Sequence, residues 1–148
     1  MLVRLLRFLP PEIAHQLTIT LLKFNFSLRK KKVNEFKLLK QNIVGIDFPN
    51  PLGLAAGFDK NAEVIKPMID YGFGFVEVGT ITPKAQIGNL KPRIFRLLED
   101  EAIINHLGFN NKGSEKILKN LISNNNDNQF NSVIGINVGK NKSTQDDI

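Results

Sequence analysis

The residues from Asn50 to Asn61, NPLGLAAGFDKN, combine types that suit ligand chemistry. A run of small and apolar side chains (Leu52, Gly53, Leu54, Ala55, Ala56) reads as a strand, and it ends on Gly57, Phe58, Asp59 and Lys60 directly before a helix-like segment. Small side chains at the C-terminal end of a strand let a flat ligand lie against the backbone, and Lys60 supplies one positive charge beside it. In barrel and open α/β folds that end of the strand is where chemistry sits. The same spacing also suits a tight strand-to-helix turn with a solvated lysine, and spacing alone leaves both readings open.

The elements that must position this stretch follow from patterning. Asn42 to Phe48 reads as a short strand ended by Pro49 and Pro51, and Leu52 to Ala56 as a second strand buried on both faces. A helical pattern (Val64, Ile65, Met68, Ile69) spans Ala62 to Tyr71 and is closed by Gly72; Gly74 to Thr80 is the next strand. A long excursion from Ile81 to Lys112 carries a hairpin, Arg93 to Leu97 and Ala102 to Asn105, around the acidic turn Glu99, Asp100, Glu101. Loops of that length are uncommon unless functional. Asn110, Asn111 and Gly113 then lead into a helix with Ile117, Leu118, Leu121 and Ile122 on one side. Ser123 to Asn131 is a polar loop, Ser132 to Val138 a buried strand, and Ser143 to Ile148 the start of a further helix capped by Ser143 or Thr144. Strands that leave Gly-rich or polar ends on one side (Gly57 to Lys60, Gly79 and Thr80, Asn137 to Lys140) predict an α/β fold with parallel strands, a barrel or a doubly wound sheet. The chain holds about three such units, against eight in a closed barrel.

Composition narrows the function classes. The 148 residues suffice for one domain, contain no Cys, and include only His15 and His106, so disulfides and a thiolate nucleophile are excluded and a dedicated zinc site is not expected. His15, among polar neighbours, reads as a packing or surface residue. Nine of the 20 Lys and Arg side chains fall in residues 1–42 against Glu12 and Glu35, which places all of the net charge of +6 there. Leu2, Leu5, Leu6 and Leu9 share one face of a short helix with Arg4 and Arg7 opposite. Pro10 and Pro11 break it, and Pro11 opens a second helix with Ile13, Leu17, Leu21 and Phe24 in a stripe. Such a helical hairpin either lies on a membrane surface or packs on the following domain. The basic run Arg29 to Lys32 suits a solvated linker or a nucleic-acid patch. No nucleic-acid reader accompanies it, so a nucleic-acid partner is not expected. No run is long enough to span a bilayer as a helix.

Three long stretches, NPLGLAAGFDKN, GFGFVEVGTITPKAQIGNLKPRIFRLLEDEAIINHLGFNNKG and GINVGKNK, resemble the dihydroorotate dehydrogenases, specifically the membrane-associated, quinone-reducing class 2. The opening LLRFLPPEIAHQL is similar to that class's helical extension. The resemblance implies an FMN-binding (β/α)8 barrel, of which residues 42–148 are the N-terminal part, preceded by a membrane-associating, quinone-access extension in residues 1–41. The activity implied is oxidation of dihydroorotate to orotate in pyrimidine (UMP) synthesis, with the electrons passed to a membrane quinone. It places Ala56, Gly57, Phe58, Asp59, Lys60, Thr80 and Asn137 at FMN. Lys60 and the loop Asn105, His106, Leu107, Gly108, Phe109 fall at the substrate, with His106 filling space rather than acting as base.

The class uses a Ser as general base in an Asn/Ser/Pro-rich loop, which the resemblance places beyond Ile148, as it does the flavin phosphate loops. No catalytic base is therefore expected within residues 1–148, and the isolated chain is expected to be inactive and to hold FMN weakly. The resemblance further implies a peripheral membrane protein on the cytoplasmic side of a bacterial inner membrane, or on the mitochondrial inner membrane in a eukaryote. Two rival readings are another FMN-barrel pyrimidine oxidoreductase, such as a soluble dihydroorotate dehydrogenase, and a non-catalytic remnant or membrane-surface binding module.

Overall fold

The computed structural model describes residues 6–24, 37–125 and 132–145. Arg4, the basic run Arg29 to Lys32, the tail 146–148 and most of the polar stretch after Ser123 lie outside them. Helix α1 (Pro11–Lys23) begins with Pro11 at its first position and Glu12 in its first turn, as the sequence predicts. Two three-residue strands follow, β1 (Gln41–Ile43) and β2 (Ile46–Phe48), then β3 (Gly53–Leu54), α2 (Ile65–Asp70) and β4 (Phe75–Ile81). The hairpin β5 (Ile94–Leu97) and β6 (Ala102–Asn105), helix α3 (Ser114–Asn125) and β7 (Val133–Val138) complete the order.

The organising layer is a three-stranded sheet in the order β3-β4-β7, with both pairings parallel. Its core gathers Val76 and Val78 from β4, Ile65 and Met68 from α2, Ile117 from α3 and Ile19 from α1. The mixed α/β architecture with parallel strands is therefore as read from the pattern. The β5/β6 hairpin also forms where expected, with Ile94 opposite Asn105 and Leu97 opposite Ala102.

Several boundaries differ, each for a local reason. Asn42 to Phe48 is a β-hairpin rather than one strand. Val44 and Gly45 both take positive φ (50° and 80°), which gives the tight turn that suits the twist of paired strands. Asn42 holds this turn, accepting from the Gly45 N–H at 3.2 Å and donating to Asp47 at 2.7 Å. The second strand is only two residues long, because Ala55 onward turns away to form the loop over β4. The helix expected from Ala62 starts at Ile65, since Ala62 itself has φ +55°. Helix α3 runs on to Asn125, so the polar loop is shorter than expected. In α3 the apolar side is split: Ile117 is fully buried, whereas Leu118 and Ile122 are each 56% exposed. Ser143 and Thr144 lie in a turn, with the Thr144 N–H bonded to the Asn141 carbonyl, and no helix has begun by residue 145.

Helix α1 packs on the body through one of its two apolar faces. Ala14 and Ile19 are buried and Leu22 packs on the core, while Ile13, Leu17 and Phe24 face outward. Three of the four stripe residues thus lie on the outer face, Leu21 is half-buried, and a second, shorter apolar face docks on the body. A core test follows. Ile65→Ala in the complete protein removes a fully buried side chain between α2 and the sheet. It should cost about 2–5 kcal/mol of stability, measured by urea unfolding.

Candidate functional site

Three strand ends meet on one side of the parallel sheet. From β3 the chain runs through Ala55 and Ala56 into the loop Gly57 to Lys60, which is stitched to the end of β4. The Gly57 N–H donates to the Gly79 carbonyl at 2.9 Å, and the Gly79 N–H donates to the Asp59 carbonyl at 3.1 Å. Gly79 has φ +114°, and a Cβ there would stand 2.5 Å from the Asn137 carbonyl, so no other residue fits between the strands. The β4/β7 register shifts between Val78 and Ile81. Such an irregularity re-aims a side chain, and here Thr80 Oγ1 donates to Asn137 Oδ1 at 2.6 Å. Asn137 in turn donates from Nδ2 to Glu77 at 3.1 Å.

Asp59 is 1% exposed, and its two carboxylate oxygens accept the Glu63 and Val64 N–H groups, each at 2.8 Å. Burial pushes its carboxyl above the usual range, and those backbone donors pull the other way. The side chain is consumed in shaping the loop, so any ligand contact from Asp59 would come from its backbone. Lys60 is half-buried and donates to the Gly57 carbonyl at 2.5 Å. Burial lowers its pKa; Glu12 opposes that and Arg93 adds to it. Phe58 packs against the core and lies nearly perpendicular to the His15 ring, with 5.3 Å between ring centroids, and its carbonyl bonds His15 Nε2 at 2.7 Å. Ala56 is half-buried beside them.

The loop Asn105 to Phe109 is held mainly through its backbone. Asn89 donates to the His106 carbonyl at 2.7 Å and Gln86 to the Gly108 carbonyl at 3.1 Å. Asn111 donates to the Phe109 carbonyl at 2.7 Å. The His106 ring stacks on Phe95 at 5.8 Å, and the Asn105, His106 and Phe109 side chains are exposed. Leu107 reaches a cavity of about 240 Å³ between α1 and the Lys60 loop, which His15, Phe58, Lys60, Asn110 and Lys112 also line. The structure therefore joins Thr80 directly to Asn137 and ties the Gly57–Lys60 loop to β4. It brings Leu107 and Lys60 to one cavity, and it leaves the Asn105 and Phe109 side chains in solvent.

Sequence reasoning missed the supports: Glu77 under Asn137, Asn111 in the long loop, and Asn141, which follows β7 and braces that loop. Asn141 accepts from the Lys84 N–H at 2.9 Å and donates to Gln86 at 3.0 Å. Their only signal was the density of Asn near strand ends, where side-chain amides bond loop backbone.

Two measurements probe this geometry. Asp59→Ala strands two backbone N–H groups in the interior and should cost about 2–4 kcal/mol in urea unfolding of the complete protein, with Asp59→Asn falling between. The second is a pH series. His15 titrates below its ordinary 6.5, first through burial and then through Lys60. The unfolded chain thus takes its proton first, and stability present at neutral pH falls as the pH drops from about 6.5 through the folded value. Glu12, held low chiefly by Arg93, and Glu63, pushed up by burial but held low overall by Lys112 and Lys23, act the same way below about 4.5. Asp59, held high, opposes them in the acid range. His15→Gln, which keeps a donor for Phe58, should flatten the melting temperature between pH 7 and 5.

Comparison with known proteins places this geometry. The family model described as dihydroorotate dehydrogenase matches residues 38–148. A dihydroorotate dehydrogenase (quinone) of Agrobacterium fabrum is 50% identical over 138 residues, covering 93% of this chain and 37% of that protein. One from Idiomarina loihiensis is 58% identical over 105 residues, covering 71% of this chain and 30% of the relative. The crystal structure of DHODH in complex with ferulenol from Eimeria tenella superposes with a TM-score of 0.86 at 46% identity, covering 91% of this chain and 37% of that one. This chain spans little more than a third of the length of the relatives it matches. Over that span the family match takes in the Gly57–Lys60 loop, Thr80 and Asn137 together, and the chain belongs to the dihydroorotate dehydrogenase family.

Proposed function

We propose that the complete protein is a quinone-linked dihydroorotate dehydrogenase that oxidises dihydroorotate to orotate in pyrimidine synthesis with FMN as cofactor. The observation that carries this is the meeting of Thr80 and Asn137 at 2.6 Å beside a loop that carries Lys60 and is bonded to Gly79. The residues fit a flat cofactor. Gly57, at φ +108°, has no atom within 4 Å of where a Cβ would stand, which leaves open space over the loop. FMN, when bound, supplies the two-electron acceptor that none of the amino-acid side chains provides.

In this reading Ala56, Gly57, Phe58 and Asp59 face FMN through backbone, and Thr80 and Asn137 present hydrogen-bonding groups at its edge. Lys60 offers an ammonium with three donors, one of them now on Gly57. The others are available to a substrate carboxylate or to negative charge developing on the reacting rings. Asn105, His106, Leu107, Gly108 and Phe109 close over the substrate, which requires the exposed Asn105 and Phe109 side chains to move inward. The general base is a Ser C-terminal to Ile148, within the part of an eight-fold barrel that residues 42–148 begin.

Residues 1–41 form the quinone-access extension and rest on a membrane surface, on the cytoplasmic side of a bacterial inner membrane or its mitochondrial counterpart. Phe8, Ile13 and Phe24, respectively 86%, 56% and 71% exposed, support that reading. Among the described residues no helix is long and apolar enough to cross a membrane.

The test is the complete protein purified in detergent. It should carry flavin absorbance and reduce a quinone when given dihydroorotate. Lys60→Ala should lower kcat/KM by roughly 100-fold or more, and removal of residues 1–40 should abolish quinone reduction while sparing flavin. A colourless protein that stays so after incubation with FMN would sink the proposal.

A further inference from the structure

Helix α1 is fastened to the body at both ends by charge. At its start Glu12 meets Arg93, whose side chain is 4% exposed and makes four hydrogen bonds: Nη2 donates to Glu12 at 2.6 Å and Nε at 3.3 Å, while Nη1 donates to the Ile87 and Asn89 carbonyls at 2.7 and 2.9 Å. At its end Lys23 pairs with Glu63 at 2.5 Å, and Glu63 also takes Lys112 at 2.7 Å. Between these anchors His15 bonds the Phe58 carbonyl, within the loop that carries Lys60. An exposed Lys91 approaches Glu12 at 3.4 Å but is 65% exposed and replaceable by water.

We propose that Arg93 is a positioning residue: through Glu12 it fixes α1, and through His15 it holds the Gly57–Lys60 loop in its bound-ready shape. The planar fork matters, because two parallel bonds set the orientation of the helix as well as its distance. Breaking a buried pair leaves a charge without its counter-ion, a far larger effect than loss of a surface pair. The clasp itself stands on geometry; its consequence for the substrate rests on the function proposed above.

The test is amide hydrogen exchange, followed by mass spectrometry, on the complete protein. Glu12→Gln keeps the shape and removes the charge. It should accelerate exchange in residues 11–24 by on the order of 100-fold, carry residues 57–64 with it, and leave 75–81 and 133–138 unchanged. Arg93→Lys, which keeps the charge and loses the fork, should follow it, whereas Glu12→Asp should recover most of the protection and Lys91→Ala should stay within about twofold of the parent. Orotate affinity should fall roughly tenfold in Glu12→Gln. Unchanged exchange in 11–24, or faster exchange there without any in 57–64, would overturn the clasp; should Arg93→Lys fail to fold, the Glu12→Gln arm decides alone. Lack of orotate binding by the parent protein would instead overturn the functional reading and leave exchange to judge the clasp.

Discussion

The site depends on one buried carboxylate. Asp59 sits out of solvent with both oxygens on backbone N–H groups of Glu63 and Val64, and its own carbonyl receives the Gly79 N–H. A charge in that position is unfavourable unless it is fully bonded. It is bonded only if the chain after β3 turns back over β4, lets Ala62 adopt a positive φ, and then enters α2 at Ile65. The same turn places Lys60 and Gly57 beside the end of β4. The loop geometry is thereby fixed by satisfaction of one acidic group, and the small residues around it only permit what Asp59 requires.

The second dependence is between that loop and α1. The helix uses apolar contacts sparingly on its inner side, Ala14, Ile19 and Leu22, and relies on directional bonds from Glu12, His15 and Lys23 for its placement. Apolar burial is non-directional, whereas a bidentate pair and a side-chain-to-carbonyl bond each add a fixed geometry. The outer side, with Ile13, Leu17 and Phe24, is thus left unused by the body.

Much of this was legible in the sequence, and the rest was hidden for physical reasons. The parallel strands could be read because β4 and β7 are short apolar runs bounded by Gly and polar residues, and α1 because Pro11 and Glu12 mark a helix start. The Val44–Gly45 turn was not, since a Val at positive φ carries no turn signal of its own and depends on Asn42 for support. The outward stripe on α1 was visible as a period; which way it faced was not, because periodicity gives a face and never its partner. For the site, the Gly57–Lys60 stretch could be singled out by residue type. The role of Asp59 as its internal brace could not, since a carboxylate beside a lysine reads equally as a solvated pair. Arg93 was invisible as a clasp because Glu12 lies 81 positions away.

The sheet itself carries the same logic outward. Strand β7 stands at one edge of the β3-β4-β7 order, and Ile136 and Val138 on it are 52% and 75% exposed, as are Leu118 and Ile122 on α3 at 56% each. Among the described residues no further strand pairs with that edge, and a parallel edge flanked by exposed aliphatic side chains is unfavourable in water. In the barrel proposed above, a strand paired with β7 and helices packed over α3 would take these residues inside. The end of β7, where Asn137 meets Thr80, would then lie between paired strands, and the bond that now closes one side of the site would be enclosed on both.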